Sequence, residues 1–187
     1  MVEQSQPRYA FAVGHSAKLD PYLQDYVDLL AEINKESDRG AVLTAASFID
    51  VLLQKTIAAF MVDDGSAKKL CEGFNAPIGT LSSRILAAFA LGLISTGERA
   101  ECDTIRKIRN EFAHNVKVNF NDQKLTAMCS NLKFATDEQE ITSQMRFTSS
   151  AVTIITRLVN RPIYVAKAKL KYQEWPTAAS RQEKDES

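Results

Sequence analysis

Apolar residues recur every three or four positions through most of this chain, which is the spacing of helices that bury one face. No segment alternates apolar and polar residues for long. The pattern therefore predicts an all-α fold, a helical bundle of about five to seven helices with at most one short extended segment, at 116–120. Residues 1–18 and 175–187 are polar and lack the helical spacing. We predict that they form flexible tails on either side of a single helical domain over 19–174.

The first three predicted helices are bounded by residues that commonly cap or stop helices. The first begins at Asp20, with Pro21 at its first helical position, and a longer second helix ends before the turn at 63–66. Thr80 is expected to cap the third helix and Gly92 to end it. Because this third helix is apolar on most sides, we predict that it lies in the centre of the bundle.

The fourth predicted helix has two clear boundary signals. Ser95 and Glu98 have the spacing of a capping box, in which each side chain accepts the other residue's backbone N–H, so the helix should start near Thr96. Asn115 can end the helix just after His114. The residues expected on its inward face are Ala100, Ile105, Ile108 and Phe112.

The last third of the chain predicts a short helix and a long one. Asn121 or Asp122 can cap the short helix. The long amphipathic segment begins at a second candidate capping box, Thr136 with Gln139, and a kink or break is expected at Pro162. Its inward residues are expected to be Ile141, Met145, Val152, Ile155 and Leu158.

The charge balance indicates no general attraction to polyanions. Lysine plus arginine and aspartate plus glutamate each number 23, so the formal net charge is zero. Any affinity for nucleic acid must therefore come from a local patch. The longest uninterrupted apolar run, 85–94, is about half of a membrane span, and the N-terminus lacks a secretory signal. We therefore expect a cytoplasmic protein that does not act at a membrane.

The three cysteines predict neither a disulfide framework nor a metal centre. Cys71, Cys102 and Cys129 are odd in number, lie far apart and form no C-x-x-C pair. The simplest interpretation is three reduced thiols that pack as small core residues. No phosphate-binding glycine loop or zinc-protease motif is present either, so no metal or other cofactor is expected.

The stretch IRKIRNEFAH at 105–114 combines three polar groups on one helix. Asn110 and His114 are one turn apart on the same face, and Arg109 lies about 100° from Asn110. Histidine can exchange a proton near neutral pH, arginine can hold a phosphate, and the asparagine amide can orient either group. These groups suit metal-independent cleavage of RNA. Because one helix offers one histidine, that hypothesis includes a homodimer that brings in a second copy.

The same stretch can also be the charged end of an ordinary helix. His114 lies in the last turn, where the helix dipole favours a cation, and Lys107 with Glu111 has the spacing of a surface ion pair. Both interpretations of this stretch remain open from the sequence.

Two family resemblances bear on the choice. IRNEFAH resembles the R-x4-H motif of the HEPN superfamily, in which arginine and histidine from two subunits line a cleft and many members are ribonucleases. The match places Arg109 and His114 on that motif and Asn110 on its frequent polar position. The wider stretch APIGTLSSRILAAFALGLIS, followed by IRKIRNEFAH and VNFND, resembles the mannitol operon repressor family over roughly residues 38–132. Ser82 and Arg84 match that family's Ser-x-Arg-Ile, without an assigned role.

The second resemblance implies an all-helical regulator without a recognisable DNA-binding motif. We accordingly expect a homodimeric regulatory or interaction module that acts through a protein partner. The alternative is a HEPN-type endoribonuclease of a toxin or defence system that uses Arg109, Asn110 and His114 on RNA.

Sequence-specific DNA readout through 81–110 is disfavoured. This region has the helix–turn–helix order, but the start of its second helix carries Glu98, Glu101 and Asp103, and carboxylates repel phosphates. The last helix has a basic stretch that could contact nucleic acid, although a solvated outer face is the favoured interpretation. Its members are Arg157, Arg161, Lys167, Lys169 and Lys171.

Overall fold

The fold is all-α, as predicted. We describe it from a computed structural model, which covers Ile33 and residues 35–62, 65–135 and 141–175. These residues form seven α-helices and a 3-10 turn, with no β-strand among them. The α-helices are α1 (Asp38–Phe60), α2 (Ser66–Cys71), α3 (Leu81–Ala90), α4 (Thr96–His114), α5 (Gln123–Cys129), α6 (Ser143–Val159) and α7 (Arg161–Val165), and the 3-10 turn is Ala166–Ala168.

Some predictions fall outside these residues. They are the first helix from Asp20, apart from its buried end at Ile33, most of both tails, and the capping box of Thr136 with Gln139.

Helix α1 is the centre of the bundle. Ser37 caps it by accepting the N–H of Gly40, and the helix packs against α2, α3, α4, α6 and α7. Val42, Leu53 and Ile57 are completely buried. Among the described helices α1 alone is long and apolar enough to cross a membrane, but half of that stretch is buried within the protein. Its surroundings are those of a core helix.

The predicted helix boundaries around α3 and α4 are confirmed. Thr80 with Ser83, and Ser95 with Glu98, form reciprocal capping boxes. Gly92 ends α3 at φ 71°, where its N–H bonds to Phe89 O at 3.0 Å and the next N–H, of Leu93, bonds to Ala88 O at 2.8 Å. This pair of bonds is a Schellman motif, which a residue with a left-handed backbone completes at low cost only if it is glycine.

The segment at 116–120 does not form a strand. It follows the turn after α4, and the N–H groups of Asn119 and Asn121 bond to the side chains of Asp122 and Asn119. Phe120 is buried, with its ring centroid 5.0 Å from that of Phe112 and 5.7 Å from that of Phe147. Phe120 therefore anchors a loop where the sequence predicted an extended segment.

Three inward placements are wrong. Ala100 is exposed, and Met145 is 48% exposed in the first turn of α6. Helix α3 is not central, because Leu86 is 58% exposed and the helix buries only a narrow face.

The long last helix breaks at Asn160, one residue before α7, so Pro162 falls in a first helical turn, where its missing N–H costs nothing.

Two carboxylates of α4 point inward, contrary to their assignment as surface charges. Glu101 is 2% exposed and accepts the N–H groups of Lys133 at 3.1 Å and Phe134 at 2.9 Å, and the Ser150 hydroxyl at 2.5 Å. It thereby joins α4 to α6 and to the turn before it. Since buried polar groups must be hydrogen-bonded, these three donors are what permits the burial.

Glu98 makes the corresponding link to α7. Its carboxylate accepts the Ser95 N–H at 2.8 Å and Arg161 Nη2 at 2.7 Å. Arg161 is therefore partly buried, not on a solvated outer face as predicted. Glu98 and Glu101 are thus turned away from solvent and would not repel a phosphate at the start of α4. Of the three carboxylates that disfavoured DNA readout, only Asp103 remains at the surface.

Acid should weaken the Glu98–Arg161 link. Burial alone would raise the pKa of Glu98, but the hydrogen bonds from Ser95 and Arg161 outweigh burial and lower the pKa below its usual value. A carboxylate with a lowered pKa stabilises the fold at pH values above its unfolded-state pKa of about 4.3. This stabilisation is lost as the pH falls through the folded-state pKa. We expect Glu98→Gln to cost roughly 1.5–3 kcal/mol of unfolding free energy at pH 7 and to flatten the loss on acidification. Urea unfolding between pH 7 and 3 measures both effects, and an unchanged pH profile would contradict the assignment.

The cysteines are buried core residues, as predicted. All three are free and about 1% exposed. Burial is the main cause that raises the pKa of Cys102 and of Cys129 to about 12, and it also raises that of Cys71.

The native thiols should therefore be inert. At pH 8 we expect a disulfide reagent such as dithionitrobenzoate to label none of them within minutes and all three after unfolding in guanidinium, because reaction requires an accessible thiolate. Rapid labelling of any thiol in the native protein would contradict this placement.

Candidate functional site

Helix α4 turns its polar face outward beside two concavities. Ile105, Ile108 and Phe112 are fully buried, so the residues on the other side of the helix face solvent. Arg109 and Asn110 line a groove, whereas His114 is exposed and lines a separate depression at the end of the helix. Within one chain, the structure therefore joins Arg109 with Asn110 and leaves His114 outside that groove.

The groove is bounded by α1, by α4, and by the turn before α3. Its volume is about 520 Å³, within the range of small-molecule sites. Ser47 lines it from α1, Thr80 and Ser82 from the start of α3, and Arg106 and Arg109 from α4. Ser82, which the sequence singled out without a role, thus lies in the same groove as the arginine of the R-x4-H motif. We call this concavity the α1–α3–α4 groove.

Arg84 supports the groove from behind and has a structural role. Its side chain is 8% exposed, and Nη1 lies 2.6 Å from Oδ2 of Asp50, a residue that lines the groove. Nε donates to Ile78 O at 3.1 Å and Nη2 to Cys71 O at 2.9 Å. One guanidinium thus joins α3 to α1, to the last residue of α2 and to the turn that leads into α3.

Arg39 fixes the end of α4. From the first turn of α1 its guanidinium donates to the carbonyl of Phe112, and also to those of Asn115 at 2.6 Å and Val116 at 2.9 Å. The last carbonyls of a helix have no partners within the helix and carry the negative end of its dipole. Arg39 therefore satisfies one carbonyl of the last turn, that of Phe112, and holds in place the turn that follows His114.

The depression beside His114 is more open to solvent than the α1–α3–α4 groove. Glu111, His114, Val116, Lys117 and Lys124 line it. Within the part of the chain that the structure describes, its lining residues form one ion pair, between Lys124 Nζ and Glu111 Oε1 at 2.6 Å. At its edge Val116 is 90% exposed, although the carbonyl of the same residue is held by Arg39.

The groove presents mainly hydrogen-bond donors. Within the described chain, the Arg109 guanidinium makes one hydrogen bond, a long one of 3.3 Å to Asn110 Oδ1. Arg106 is paired through Nε with Asp103 at 3.3 Å. Because an arginine has five N–H donors, most of those on Arg109 are available to a ligand. The residues that the structure describes contain no group of three or more histidine, cysteine or acidic side chains suited to a metal ion.

Sequence reasoning missed Arg39, Arg106 and Asp50. A signal existed for Arg39, since a cation in the first turn of a helix opposes the helix dipole and so indicates a partner elsewhere. Arg106 and Asp50 gave no local signal, because each reaches the groove only through the packing of α4 and α1.

Comparison with known proteins does not identify a family. The chain matches no protein-family model, no curated protein and no solved structure. The two resemblances drawn from its motifs therefore stay predictions.

Removing the Arg84 guanidinium should destabilise the wall of the groove. Arg84→Met keeps the apolar stem but leaves Asp50 and two carbonyls without their donor. We expect a loss of roughly 2–4 kcal/mol in unfolding free energy, less than for a completely buried pair because water can reach part of Asp50. Urea unfolding of Arg84→Met and of Arg84→Met/Asp50→Leu measures the effect, since the double variant should recover part of the loss. A single variant as stable as the parent would contradict the role of Arg84.

Proposed function

We propose that the protein is a regulatory interaction module that binds a partner protein through residues 114–117, which we call the docking turn. The observation that carries the proposal is that this turn has an exposed apolar side chain and a backbone that is held in place. Val116 is 90% exposed, while the carbonyls of Asn115 and Val116 accept hydrogen bonds from Arg39. An exposed apolar side chain on a fixed backbone is suited to binding, because little conformational entropy is lost when a partner covers it.

The charges around the docking turn favour a protein over a polyanion. His114 and Lys117 lie beside Glu111 and Asp122 in the depression, and Lys124 is paired with Glu111. Both signs of charge surround the exposed Val116. An apolar centre with a polar rim of mixed charge is typical of protein–protein interfaces, whereas nucleic acid selects a predominantly basic surface.

Regulation through the docking turn can be tested in cells. Transcript levels are compared between a strain that lacks the protein and the same strain carrying the parent, Val116→Asp or Met145→Asp. We expect Val116→Asp to resemble the deletion, because a buried unpaired carboxylate would oppose partner binding. Met145→Asp is the matched control, since it places the same charge on an exposed apolar residue of α6 and should restore the parent pattern.

Equal stability of the two variants, measured by thermal unfolding, makes the comparison interpretable. Full complementation by Val116→Asp would contradict the proposed docking turn.

A second candidate function is metal-independent RNA cleavage by a homodimer. It is favoured by the exposure of His114 and by the free donors of Arg109, both on the outer side of α4. Because the two residues line different concavities in one chain, this function requires a second copy to bring a histidine and an arginine together.

The ribonuclease candidate predicts a sharp mutational pattern. In EDTA, the parent and Lys55→Ala should cleave structured RNA, while Arg109→Ala and His114→Ala should lose at least about a hundredfold in rate, as expected for loss of a general acid or base. Lys55 is an exposed cation on α1 and lies outside both concavities. No cleavage of several RNAs, or a monomer in analytical ultracentrifugation, would contradict this candidate.

A further inference from the structure

The α1–α3–α4 groove has a chemistry that the docking turn does not use. Its solvent-accessible free groups can donate: the guanidinium of Arg109 has one weak internal partner, and the hydroxyls of Ser47 and Ser82 have none in the described chain. The one unpartnered carboxylate oxygen among the described lining residues, Asp50 Oδ1, is shielded from solvent. They come from three helices that the core holds together. A group with several acceptor oxygens is the natural complement to such a set.

The single carboxylate in the groove does not cancel this preference. Asp50 is already paired with the buried guanidinium of Arg84, at 2.6 Å, and its other oxygen, Oδ1, is inaccessible to solvent. The start of α3 adds a favourable dipole, because Thr80 and Ser82 lie at the N-terminus of a ten-residue helix. The accessible charge of the groove is therefore positive. It comes chiefly from Arg109, and Arg106 contributes only in part because its Nε is paired with Asp103 at 3.3 Å.

Size and position limit what the groove can take. A volume of about 520 Å³ suits a small molecule. Arg109 and Asn110 lie about one helical turn before the docking turn on the same helix. A ligand that fixes the outer side of α4 would thus bind next to the surface that we assign to a partner.

We propose that the α1–α3–α4 groove is an effector site for a small molecule that carries a phosphate or carboxylate group. Arg109 holds the oxyanion, the hydroxyls of Ser47 and Ser82 donate to its remaining oxygens, and Arg106 adds positive charge. The site is separate from the docking turn and does not depend on the function proposed for that turn.

Anion binding can be measured on the full chain with two simple probes. Inorganic phosphate and succinate are each titrated at constant ionic strength while ¹H–¹⁵N spectra are recorded. We expect saturable shifts at Ser47, Ser82, Arg109 and Asn110 with at least one probe, and the probe that binds identifies the oxyanion class. Arg109→Gln should weaken that binding by about tenfold or more, the usual contribution of a charge-assisted pair.

The matched control is Lys107→Gln, which removes the same charge from an exposed position of α4 that does not line the groove. It should leave the dissociation constant within about twofold of the parent, because exposed charges are screened by salt. Absence of saturable shifts with both probes would overturn the proposal, as would equal weakening by Arg109→Gln and Lys107→Gln. Val116→Asp should not affect anion binding, so failure of the effector site and failure of the docking turn are distinguishable.

Discussion

The burial of carboxylates from α4 is the constraint on which the rest of the structure depends. Glu101 lies in the core and is matched by three donors from the turn before α6 and from α6 itself. Glu98 is matched by Arg161 at the start of α7. A buried carboxylate without such donors would cost several kcal/mol, so these helices must occupy one arrangement relative to α4. Apolar packing alone would tolerate small shifts between the same helices.

A fixed α4 explains why its outer face can carry a site. Its N-terminus is tied by the capping box and Glu98, and its C-terminus by Arg39. Between these ends, the apolar stripe of Ile105, Ile108 and Phe112 keeps the opposite face outward. Contacts made by other residues thus determine where Arg109 and His114 lie. Their different environments, one in a groove and one beside an open depression, follow from the helical angle between them.

The sequence predicted what depends on neighbours along the chain. Helix class, the cap of α3 at Thr80, the capping box of α4 and the stop at Gly92 are local signals, and the structure confirms them. Prediction from the sequence failed where a residue's surroundings are formed by residues that are distant along the chain. The burial of Glu101 depends on Ser150, 49 residues away, and that of Arg84 on Asp50, 34 residues away. The stretch at 116–120 was predicted as extended because the ring partners that bury Phe120, on α4 and α6, are not visible in the local pattern.

The site was predicted only in part for the same reason. The residues of α4 and Ser82 could be selected from motifs, but their division between two concavities required the packing of three helices. Arg39 belongs to the site only through its contact with carbonyls 73–77 residues further along the chain. Charge-assisted hydrogen bonds between residues so far apart leave no pattern in a single sequence.

Amide hydrogen exchange of Arg39→Met tests most directly whether the end of α4 is held from α1. Methionine keeps the apolar stem and removes every donor, while Lys107→Met provides a control that removes a charge from the exposed face of α4. We predict that amides in residues 112–118 of Arg39→Met exchange at least about tenfold faster, since each lost hydrogen bond to a charged group contributes roughly 1.5–3 kcal/mol. Amides in the core of α1 and α6 should remain protected. Unchanged exchange at 112–118 in Arg39→Met would contradict the account.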